Sequence, residues 1–98
     1  MTTPASTPID PAHLASEVEA LKADLAALPA TEFIEKAVYH CDRLARALRS
    51  SHHEATRFAA FTVLKIVRDH AAELSSSIPA RAQAIRRALE ASGFDLSK

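Results

Sequence analysis

The stretch EATRFAAFTVLKIVRDHAAEL, residues 54–74, decides the fold. At 100° per residue, Ala59, Ala60, Val63, Leu64, Ile66, Val67, Ala71 and Leu74 fall in one arc roughly 160° wide. That is broader than a helix needs against one neighbour, so the segment is predicted to pack between at least two others. Arg57, Lys65, Arg68, Asp69 and Glu73 occupy the opposite side, which excludes both a membrane span and a fully buried rod.

Working backwards, TEFIEKAVYHCDRLARALRS (31–50) is a second amphipathic helix. Thr31 is its N-cap, and Glu32 and Glu35 in the first turn suit the positive end of the helix dipole. Phe33, Ile34, Ala37, Val38, Cys41, Leu44, Ala45 and Leu48 share one face. Cys41 lies in the middle of that face, which makes it a small core residue rather than a nucleophile. No Gly or Pro separates this helix from the next, so one rod over 31–74 is the alternative. Continuing the phase would put Ser51, Thr62 and Lys65 on the apolar face, whereas a break near Ser50 restores both stripes. Ser51 followed by Glu54 also reads as a capping box. The expectation is an antiparallel hairpin.

Further back, Asp10 is an N-cap, Pro11 fits the first helical position, and Ile9 would staple onto Leu14. The first helix runs to about Leu28 before Pro29. Leu14, Val18, Leu21, Leu25 and Leu28 are spaced 4, 3, 4 and 3, a short heptad seam. Glu17 and Lys22 then flank the seam where a parallel partner helix would pair with them. Residues 1–8 carry no periodicity and are read as a disordered tail, with residues 9–98 forming one helical domain. Forward of the central stretch, Ser75–Ser77 and Pro79 introduce a shorter fourth helix. Its apolar groups are mainly Ile85 and Leu89, with Gly93 as a left-handed C-cap and Phe94 reaching back to Leu89. The predicted fold class is all-α, an antiparallel bundle of three long helices with a shorter C-terminal helix packed across them.

Composition agrees with helix. About a fifth of the 98 residues are Ala, and there is one Gly. The single Cys excludes an internal disulfide framework, and MTTPASTPID has no signal-peptide pattern, so a cytoplasmic location is expected. Abundant Ala and more Arg than Lys fit a GC-rich bacterial genome. Net charge is zero, but residues 1–38 carry −4 and the rest +4.

Candidate sites follow from what these helices leave over. His13 with Glu17, and His70 with Glu73, are spaced to share a helical face, yet neither recruits a third ligand, so no metal or other cofactor is expected. His70 falls within the apolar arc and is expected to be a buried polar residue with a hydrogen-bond partner. Tyr39 lies on the outer side of helix 2 with Arg43 and Arg46, a composition suited to surface contacts. No glycine-rich phosphate loop and no nucleophile with a base is evident, so the chain is not read as an enzyme. Three wide stripes and a thin fourth helix predict surplus apolar surface. The expectation is a self-associating protein-interaction module, a homodimer using Leu14, Val18, Leu21 and Leu25 or Phe58 and Phe61. The second reading is nucleic-acid binding through arginines of helices 2 and 4.

Overall fold

The computed structural model describes residues 10–96, which form an all-α bundle of four helices with no strand among them. They are α1 (Pro11–Ala26), α2 (Glu32–Arg49), α3 (His53–Asp69) and α4 (Ser77–Ala91). A single 3₁₀ turn, Ala71–Glu73, follows α3. The expected tail and the staple from Ile9 lie outside the described residues.

Local signals set most of the boundaries. The Asp10 carboxylate accepts from the Ala12 N–H at 3.2 Å, and Pro11 opens α1. The Thr31 hydroxyl accepts from the Ile34 N–H at 3.4 Å. Gly93, with φ of +100°, ends α4 in a Schellman motif: its N–H reaches the Glu90 carbonyl at 3.0 Å, and the Phe94 N–H reaches the Leu89 carbonyl at 3.1 Å.

The turn between α2 and α3 confirms the hairpin and corrects its capping. Ser51 has φ of +56° and serves as the left-handed residue that closes α2. The Ser51 N–H bonds the Leu48 carbonyl at 3.2 Å, and the His52 N–H bonds the Ala47 carbonyl at 3.0 Å. A residue committed to that conformation cannot also take the extended backbone of an N-cap. The cap therefore passes to His52, whose Nδ1 accepts from the Ala55 N–H at 3.2 Å, and Glu54 pairs with Arg57 at 3.2 Å.

Antiparallel packing is fixed by side chains far apart in sequence. Lys22 of α1 meets Asp42 of α2 at 3.1 Å, and Glu19 meets Arg49 at 3.0 Å. Phe33 at the start of α2 stacks on His70 after the end of α3, ring centres 3.8 Å apart. α4 then runs back along α1 and α3 rather than lying across a three-helix layer. Arg81 near its start bridges Glu17 and Asp24 of α1, at 3.3 and 3.2 Å. Phe94 beyond its end stacks on His53 at the start of α3, at 4.4 Å. At 15 residues against 16 for α1, α4 is the shortest helix by one residue.

Ring closure determines where the apolar stripes go. α4 supplies Ile78, Ala82, Ile85 and Leu89, spaced 4, 3 and 4, and the chain beyond it adds Leu96; all are buried. Leu14, Val18, Leu21 and Leu25 are consequently core residues, Val18 and Leu21 being 0% exposed. The helix-1 seam is thus enclosed by the chain's own α2 and α4, and a second copy has no access to it. Its flanking charges are used internally as well, Glu17 by Arg81 and Lys22 by Asp42.

Candidate interaction surface

The chemistry-bearing side chains are dispersed. Among the described residues no group of three or more His, Cys, Asp or Glu side chains is placed to hold a metal ion. Burial pushes the Cys41 thiol up to about 12, so it stays protonated and unreactive at neutral pH. Among the described residues no helix is long and apolar enough to cross a membrane.

His70 is not the buried residue expected. Helix α3 ends at Asp69, so His70 falls at the C-cap, outside the periodic arc. Its side chain is 34% exposed, lies flat on Phe33, and places Nδ1 3.1 Å from a Glu73 carboxylate oxygen.

The arginines of α2 and α4 also fail to meet. Each of these helices packs between α1 and α3, which sets the two diagonally opposite. Most of their guanidinium groups face acids within the chain: Arg46 with Asp42 at 3.0 Å, Arg49 with Glu19, Arg81 with Glu17 and Asp24, and Arg86 with Glu90 at 3.1 Å. A continuous phosphate-binding face through helices 2 and 4 is therefore not formed.

One surface differs from the rest, the outer side of the α2–α3 layer. Phe58 of α3 is 60% exposed and Tyr39 of α2 is 57% exposed, the only large hydrophobic side chains so open among the described residues. They are linked by His40, whose ring meets Tyr39 edge-on at 5.1 Å and Phe58 at 6.5 Å. Phe61, one turn beyond Phe58, is half-buried. Arg43 lies over the Tyr39 ring with its guanidinium carbon 5.7 Å from the centroid, and its Nη1 donates to the Tyr39 hydroxyl at 3.3 Å. This stack fixes Tyr39 in place, which lowers the entropic cost of presenting it to a partner. Among the described residues no carboxylate comes within ion-pair distance of Arg43 or Lys36.

The sequence reading passed over His40. Its Nδ1 is buried with no hydrogen-bond partner. Burial first, then the Arg43 and Lys36 charges, lower its pKa, so the ring is held neutral. The available signal was position, since His40 adjoins Tyr39 and falls at the margin of the apolar arc. The geometry assembles an aromatic cluster with two uncompensated cations at its edge, a composition suited to contact with another macromolecule. Set against models of protein families, curated proteins and solved structures, the chain matches none.

Proposed function

We propose that the chain is a non-catalytic interaction module that self-associates through the outer face of α2 and α3. The reading is carried by the adjoining exposure of Phe58 and Tyr39 around His40, in a bundle that buries its other large stripes. Exposed aromatic groups held by neighbours, with arginine beside them, are the composition of energetically important contact residues. The interface candidates are accordingly Phe58 with Phe61, and Tyr39 with Arg43 and Arg46, in place of the helix-1 seam. Sedimentation equilibrium of the full chain at micromolar concentrations tests the reading. A concentration-dependent dimer is expected; a strict monomer refutes self-association.

A further inference from the structure

We propose that two copies pair face to face through their α2–α3 layers about a two-fold axis crossing the layer at the level of Tyr39. This rests on the self-association reading and specifies its geometry.

The argument lies in the order of charges along the outer strip of α2. Reading outward, Glu32, Glu35, Tyr39, Arg43 and Arg46 are all exposed. Relative to Tyr39 they stand at −7, −4, 0, +4 and +7, within one arc of about 80° at 100° per residue. The strip is acidic at one end, aromatic in the middle and basic at the other. Two such strips laid antiparallel and centred on Tyr39 bring Glu35 opposite Arg43 of the second copy, and Glu32 opposite Arg46. Lys36 and Asp42, at −3 and +3, follow the same rule. Every pair so formed joins opposite charges, and the axis repeats each one. A parallel arrangement in the same register would set like against like at every position.

The second helix of the layer lies in antiparallel register, Phe33 stacking on His70 toward one end and the His52 N–H bonding the Ala47 carbonyl at the other. That register sets Phe58 about level with Leu44, ~8 Å along the layer from the axis, on the flank that α3 of the second copy covers, while Tyr39 meets Tyr39. From Glu32 to Arg46 the strip is ~21 Å long. Two helices wide, it is at the small end of stable interfaces, where association is expected in the micromolar range. Arg46 gives up little by turning outward, because Asp42 keeps Lys22 at 3.1 Å.

The test is a charge exchange in the full chain, followed by sedimentation equilibrium at low salt, with circular dichroism to confirm helicity. Glu35→Arg alone and Arg43→Glu alone each turn two attractive pairs into repulsive ones, and each should weaken the dimer roughly tenfold or more. The double variant Glu35→Arg/Arg43→Glu restores both pairs, and so does an equimolar mixture of the two single variants. Recovery of the native dissociation constant in both supports the proposal. Single variants that dimerise as tightly as the native chain overturn this geometry while leaving self-association standing, and so do weakened singles without rescue. A native chain that stays monomeric overturns the underlying reading and this inference together.

Discussion

Replacing Phe58 by Ala, beside Leu21 by Ala, separates the surface used for association from the interior used for folding. A phenylalanine side chain offers about 200 Å² in all. With 60% of that area open in Phe58, roughly 120 Å² is available to a partner. At 25 cal/mol per Å² complete coverage is worth ~3 kcal/mol, and half coverage ~1.5 kcal/mol for each chain. Both copies lose it in a symmetric dimer, so Phe58→Ala should weaken association by ~3 kcal/mol, about a hundredfold in Kd. The fold itself should lose at most ~2 kcal/mol, the worth of the roughly 80 Å² of the side chain that is enclosed. Leu21 is 0% exposed in the single chain, and Leu21→Ala should cost ~3 kcal/mol in stability, or ~15 °C in Tm. Sedimentation equilibrium and thermal melting, done on both variants at matched concentration, read the two effects. A Phe58→Ala chain that melts as early as Leu21→Ala and associates like the native one would refute the division.

Two further outcomes are expected. Ser51→Gly should raise stability by ~0.5–1 kcal/mol, because φ of +56° strains a serine and the substitution leaves the closing hydrogen bonds of α2 intact; chemical denaturation measures it, and an unchanged or lowered midpoint contradicts the assignment. His40 binds its proton less readily in the folded chain than in the unfolded one, so its contribution to stability is complete above its ordinary value of 6.5 and is lost as pH falls below that toward the depressed folded value. His40→Leu should therefore melt with a smaller loss between neutral and mildly acidic pH than the native chain, and equal slopes would remove His40 as the cause.

The features that could be read without coordinates were those written in a few consecutive residues. Asp10 with Pro11, Thr31, and Gly93 each announce a helix end because the side chain or the backbone freedom acts on its nearest neighbours. The Ser51 capping box failed for a tertiary reason: reversing direction between α2 and α3 claimed Ser51 as a left-handed residue, so the next side chain became the cap. The stripe of α1 was visible, but periodicity reports that a face is covered and not which chain covers it. That depended on α4, whose Ile78, Ala82, Ile85 and Leu89 present a full stripe although Ala82 adds little bulk. His70 was misplaced because α3 stops one residue before it, and no residue there signals a stop in the sequence. The α2–α3 surface was half legible, in Tyr39, Arg43 and Arg46 on one side and Phe58 with Phe61 on the other. Their adjacency, made through His40, required the hairpin.

Because the first and last helices are neighbours, Pro11, Leu14, Ser92 and Phe94 line one shallow recess at a single pole of the bundle. Asp10 and Leu96, the first and last described residues, both adjoin that pole, next to Pro11 and Phe94. A two-fold partner set antiparallel carries its own pole to the far end of the pair. Two cargoes fused to the protein would then be held apart at opposite extremities, as by a short rigid spacer, with the joining surface between them left clear.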